Sequence, residues 1–188
     1  QKIDDLIASF TDITDAERQE LIKDGESFKV QIRNATKQSD IAYIWTRAQD
    51  TIHLYFENVE KARQHAIDEI YTYIQQLSYG EKELIYIQTL AAEQEELVNK
   101  MASIEEIKKV SGEFITLINQ LHEELVDTKT TVCKELDSLI KSWYTDSQKE
   151  YLTVMIDDAK NQIMLAGNQE EVNIYKDSCI QEATQYIC

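Results

Sequence analysis

The chain has 188 residues, 43% of them hydrophobic, no proline, four glycines and a net charge of −16. That hydrophobic share is enough for a real core, and the lack of proline and glycine favours long helices over hairpins. The acidity excludes nucleic acid as an expected partner, and no apolar run approaches the roughly 20 residues of a membrane span.

A short leading helix is expected over Gln1–Phe10, with Ile3, Leu6, Ile7 and Phe10 on one side. Thr14 with Glu17 then forms a capping box. It opens a second helix to about Ala35, carrying Leu21, Gly25, Phe28, Ile32 and Ala35 at four–three spacing. After a polar break over Asn34–Ser39, the third helix runs to about Leu77 on the stripe Gln38, Ile41, Trp45, Ala48, Ile52, Tyr55, Val59, Ala62, Ala66, Ile70, Tyr73, Leu77. Ser78 with Glu81 caps a fourth helix with the stripe Ile87, Ala91, Gln94, Val98, Met101. Ser103 with Glu106 opens a fifth that reads unbroken to Trp143 on Ile104, Ile107, Ser111, Phe114, Ile118, Leu121, Leu125, Thr128, Val132, Leu136, Leu139, Trp143. Thr145 with Gln148 opens a sixth, with Leu152, Ile156, Ala159, Ile163 and Ala166, and Gly167 suits the C′ position after it. Asn168 with Glu171 caps the last helix, where Val172, Cys179, Ala183 and Tyr186 face one way.

These stripes are copies of one another. The second and third helices reappear in the fourth and fifth 66 residues later, and in the sixth and seventh about 131 residues later. The copies span 14–78, 80–144 and 145–188 within one all-helical domain, 1–188, and the last copy is incomplete. A short helix covers only half of a long one, so the next long helix starts part-way along. The expected fold is all-α: an elongated antiparallel repeat rod about 80 Å long with three helices at each level. Its plan, a long helix shared between successive three-helix bundles, resembles that of spectrin-type repeats. A compact helical bundle is the alternative.

Chemistry is sparse. His122-Glu123-Glu124 starts like a zinc-protease helix, but Val126 stands where the second ligand belongs. His53 and His65 lie off the stripe. There is no phosphate loop, calcium loop or nucleophile elbow, so no catalytic residue, metal or cofactor is expected and the chain is not read as an enzyme.

Cys179 and Cys188 lie about 13 Å apart along one helix and cannot bridge. The stagger brings Cys133 and Cys179 to one height, so a Cys133–Cys179 disulfide is expected, leaving Cys188 for an intermolecular contact; the alternative is buried free thiols in a cytosolic protein, which would suit an intracellular coiled-coil scaffold. Asn34-Ala35-Thr36 is a glycosylation sequon at a helix end. With these cysteines and an opening without Met, it points to a secreted, extracellular protein.

One surface stands out. Tyr71, Tyr79, Ile85 and Tyr86 are not needed by the stripe and cluster at one inter-helix elbow. Tyrosine is enriched at interfaces, so these four are the expected partner-binding residues. The alternative is that a neighbouring helix, such as the leading one, covers them. The function expected is a non-enzymatic protein that binds another protein through an extended helical surface. The alternative is a carrier of lipid or another hydrophobic small molecule, held in space left by Gly25, Ala48, Ala62, Ala91 and Ala159.

Overall fold

The computed structural model describes residues 1–187 and is 83% helical, with seven helices and no strand among the described residues. Cys188, and with it the expected intermolecular contact, lies outside them. The helices are α1 (Lys2–Ala8), α2 (Asp15–Asn34), α3 (Gln38–Gln75), α4 (Glu81–Val98), α5 (Ile104–Asp137), α6 (Asp146–Leu165) and α7 (Gln169–Ile187). The chain divides into two compact units, one made of Gln1–Ile70 with Gln94–Gly112, the other of Tyr71–Glu93 with Glu113 onward.

The helix starts follow from their caps. Thr14 Oγ1 accepts the Glu17 N–H while the Glu17 carboxylate accepts the Thr14 N–H, and Thr145 and Gln148 do the same for α6. Ser103 Oγ accepts from Glu106 N–H at 3.4 Å, and Asn168 Oδ1 from Glu171 N–H at 3.0 Å. Ser78 does not start α4. That helix begins at Glu81, with the Gly80 carbonyl accepting its first turn's bond from Leu84 N–H. Gly80 is the residue 66 positions after Thr14, so the repeat offset, not the nearest hydroxyl, marks the helix start.

The fifth helix stops earlier than its pattern suggests. It ends at Asp137, where Ser138 Oγ turns back to the Glu135 carbonyl and tighter three-residue bonds follow through Ile140. A hydroxyl that bonds its own backbone competes with the helix ladder. Trp143, expected on the stripe, therefore stands in the irregular connection to α6 and is 76% exposed.

In the first unit α1 lies on α2 and α3. Ile3 and Ile7 are buried, and a Cβ on Gly25 would come within 2.9 and 2.8 Å of their side chains, so only glycine lets α1 this close. Phe10 packs against Phe56 with ring centroids 5.5 Å apart. In the second unit the tail of α5 takes the same part, since Val132 and Leu136 share one core cluster with Leu152, Ile156 and Ile163 of α6 and Val172 of α7. The sequence carries this equivalence: Ile3-Leu6-Ile7-Phe10 aligns with Ile70-Tyr73-Ile74-Leu77 and with Leu136-Leu139-Ile140-Trp143.

Gly167 has a different reason from the one its position suggests. Its φ is not positive, so it is no left-handed cap. A Cβ there would stand 2.6 Å from the Lys82 carbonyl oxygen, so glycine allows the α6–α7 turn to touch the first turn of α4.

The expected Cys133–Cys179 disulfide is not formed. Both are free thiols, Cys179 buried inside the α5–α6–α7 cluster and Cys133 packed at its edge. Burial raises both thiol pKa values, since a thiolate loses its water there; Lys160 opposes the shift at Cys133 and Glu182 adds to it at Cys179. In that setting cysteine packs as a small apolar side chain.

Candidate protein-binding surfaces

Of the four elbow residues, Ile85 is exposed, while Tyr71, Tyr79 and Tyr86 are half-buried. Tyr79 is covered by α5, and Tyr86 lines a cleft with α5 and the α6–α7 turn; α1 is engaged with α2 and α3. Tyr79 lies flat on the His122 ring, centroids 4.0 Å apart and planes within 1°. Its hydroxyl donates to Asn119 Oδ1 at 3.4 Å, and Tyr73 donates to the same oxygen at 2.8 Å. Burial, followed by the neighbouring Tyr73, Glu83 and Glu123, raises the Tyr79 pKa.

Beneath the stack lies a carboxylate that sequence patterning did not single out. Glu83 is only 7% exposed and its Oε1 sits 2.7 Å from His122 Nδ1. The signal was present: stepping the Leu21, Ile87, Leu152 position back four residues gives Glu17, Glu83 and Gln148. Glu17 and Gln148 fold back onto a cap hydroxyl. Gly80 offers none, so Glu83 turns inward to the histidine. Beside this pair is a cleft of about 190 Å³ lined by Glu83, Tyr86, Leu121, Leu125 and the turn Gly167–Glu170. Lys129 closes the neighbourhood, donating to the Met164 carbonyl at 3.0 Å, and burial lowers its pKa against the pull of Glu83 and Glu171. Lys82 Nζ is 3.2 Å from the Tyr175 hydroxyl and 3.5 Å from Glu171, so the first turn of α4 is tied to α7.

A second surface has no counterpart among the expected residues. The end of the α6–α7 pair where α6 begins and α7 ends carries Trp143, Tyr151, Val154 and Tyr186, all exposed. The Tyr151 and Tyr186 rings stack at 4.0 Å, and the Tyr151 hydroxyl donates to Glu182 Oε1 at 2.8 Å, which raises its pKa. Trp143 contacts Tyr144 edge-on at 6.0 Å. A groove of about 370 Å³ continues from Tyr151 between the two helices.

The third surface is in the first unit. A groove of about 680 Å³ lies between α1, α2 and α3, with Ile3, Ile32, Ile41, Ala42 and Trp45 as its base. Lys2, Lys29 and Arg33 also line it, and Lys2 Nζ is 6.0 Å from the Trp45 ring centre. Of the small residues expected to leave space, Ala159 lines the groove between α6 and α7 and Ala62 lines a groove of about 550 Å³ between α3 and the start of α5, while the other three leave none. Gly25 is filled by Ile3 and Ile7, and Ala48 and Ala91 are fully buried in packed core.

Asn34 is the last residue of α2 and is exposed, with Thr36 exposed beyond it. Among the described residues no three metal-ligating side chains come together, and no helix is long and apolar enough to cross a membrane. Comparison with protein-family models, curated proteins and solved structures finds no match to this chain.

Proposed function

We propose that this chain is a secreted, non-enzymatic helical protein that binds another protein, and that the partner docks on the aromatic end of the α6–α7 pair. The observation that carries this is Trp143, 76% exposed in the irregular connection that leads into α6, the helix whose exposed Tyr151 stacks on the exposed Tyr186. A free tryptophan leaves about 150–250 Å² of apolar area in water, and tryptophan and tyrosine dominate binding hot spots. Of the elbow residues, Ile85 and the cleft-lining Tyr86 extend the apolar surface of the same unit, whereas Tyr79 serves the fold. Secretion is supported by the exposed sequon at Asn34, which is open to a glycan without disturbing a helix interior. A protein with these surfaces needs no active site.

The test uses wild type and Trp143→Ser side by side, as bait in extracellular fluid and then in titrations against whatever wild type retains. The variant keeps its melting behaviour, because an exposed side chain contributes within about 0.5 kcal/mol to stability. It loses about 2 kcal/mol or more of binding, as anchors do. A partner held equally by both proteins refutes this surface.

The carrier reading keeps one specific support, the open groove over Ile41 and Trp45. Native mass spectrometry after exposure to mixed lipids tests it; retention of a stoichiometric lipid supports a carrier.

A further inference from the structure

The three copies fill one layer of the repeat differently. In the third copy Ala159 and Cys179 line the groove of about 370 Å³ between α6 and α7. Their equivalents are Phe28 and Ala48 in the first copy, and Gln94 and Phe114 in the second. Each of those copies sets one phenyl ring at this layer, and Phe28 and Phe114 are both buried. The third copy has a methyl and a thiol instead, so the room of a ring stays open. The repeat does not cover this face elsewhere. Ser27 and Glu93, equivalent to Asp158, are exposed, and so are Thr51 and Leu117, equivalent to Glu182. The occupant is therefore not a further stretch of the same repeat.

The side chains around the groove decide what chemistry fits. Met155, Ala159 and Cys179 are apolar, and Tyr151 and Tyr175 add aromatic faces. The charged lining is Asp158 and Glu182, with no basic side chain. The nearby lysines are engaged elsewhere: Lys82 by the Tyr175 hydroxyl and Glu171, Lys160 by Asp137 and Lys176 by Glu135. An ammonium is attracted both by carboxylates and by the faces of aromatic rings, whereas an anion is repelled by both. The volume is that of a small-molecule site, at the lower end of about 300–1,000 Å³. We propose that the groove between α6 and α7 binds a small aromatic cation, an aryl ring on an alkylammonium arm. The ring lies on Ala159 and Cys179, where the other copies place a phenylalanine, and the ammonium meets Asp158 and Glu182. This site shares only Tyr151 with the aromatic end proposed for a protein partner, and it is distinct from the groove over Ile41 and Trp45. It stands whether or not either of those binds.

The test follows the Met155 and Ala159 methyl signals by NMR in the whole chain. The probe is phenethylammonium, with phenylpropionate as an anion of like size. Saturable shifts of both methyls are expected with phenethylammonium, and binding about tenfold weaker or less with phenylpropionate. Asp158→Asn with Glu182→Gln removes that preference, while the Tyr151 hydroxyl keeps an acceptor. Ala159→Phe, which restores the first copy's ring, abolishes the Met155 shift with the helical circular dichroism unchanged. Cys179→Phe, the second copy's arrangement, does the same by an independent route. No saturable shift with millimolar phenethylammonium overturns the proposal. Equal binding of phenylpropionate also overturns it, since the carboxylates then select nothing. Binding that survives both phenylalanine variants places the probe elsewhere and overturns it as well. A response to a peptide presenting a phenylalanine beside a lysine, with none to phenethylammonium, overturns it in favour of a partner protein.

Discussion

Replacing Gly167 with alanine tests the close contact between the α6–α7 turn and α4. An added Cβ would sit 2.6 Å from the Lys82 carbonyl oxygen, 2.7 Å from its carbon and 3.0 Å from Glu83 N. Ordinary van der Waals contact of a Cβ begins at 3.4 Å, so about 0.8 Å must be recovered by moving main chain, not by turning a side chain. The turn cannot simply swing away, because Gly167 N–H donates to Glu171 Oε2 at 3.0 Å and Glu171 also faces Lys82. Overpacking of this kind costs about 1–3 kcal/mol. Against it stands the gain of roughly 0.4–1 kcal/mol from a stiffer unfolded chain, since the φ here is not positive and suits alanine. The net expectation is a loss of about 1–2 kcal/mol. Gly112→Ala is the control: it lies inside α5 with nothing within 4 Å of where the new methyl would stand, and it should stabilise by about 0.5–1 kcal/mol. Urea unfolding followed by circular dichroism measures both. If Gly167→Ala is as stable as wild type or more so, the close approach is not real.

Other expectations follow from buried polar groups. His122→Phe keeps a ring under Tyr79 but strands the buried Glu83 carboxylate, and should cost about 2 kcal/mol; adding Glu83→Leu should recover most of it, and a cycle with no coupling refutes the pair. Tyr55 is buried with its hydroxyl donating to the Ala102 carbonyl at 2.6 Å, and burial, reinforced by Glu17 and Glu20, pushes its pKa up to about 12. The unfolded phenol loses its proton near pH 10 and the folded one later, so stability is full below pH 10 and falls by up to ~2–3 kcal/mol towards pH 12. Tyr55→Phe should flatten that fall in urea titrations across the range; an unchanged slope refutes it. Alkylation under non-reducing conditions should modify Cys133 slowly and Cys179 only after denaturation, and a Cys133–Cys179 pair that resists alkylation in denaturant would contradict the free thiols.

Much of the fold was legible because helices are written in local periodicity. Apolar residues at three- and four-residue steps, with a Thr, Ser or Asn cap and a Glu or Gln three positions on at several starts, placed the seven helices to within a few residues, the end of α5 excepted. The misses have local causes of their own. Ser78 offered a hydroxyl, yet α4 started at the Gly80–Glu81 step; Ser138 offered another and ended α5 before Trp143. The elbow was located as a cluster, but its exposure was not legible, because Tyr79 is covered by His122, a residue 43 positions away.

The sequence alone determined which segments become helices, which faces are apolar and how the copies align, since each depends on residues within a few turns of one another. Only the tertiary structure decided what lies across from each face. Gly167 is small for the sake of Lys82, Gly25 for Ile3 and Ile7, and Glu83 is tolerated in the core because His122 meets it. Equivalent stripe positions end buried at Ile107 and Val172 but half-open at Ile41 for the same reason. A stripe states that a face must leave water, and only the packing of distant segments settles whether the chain itself supplies the cover.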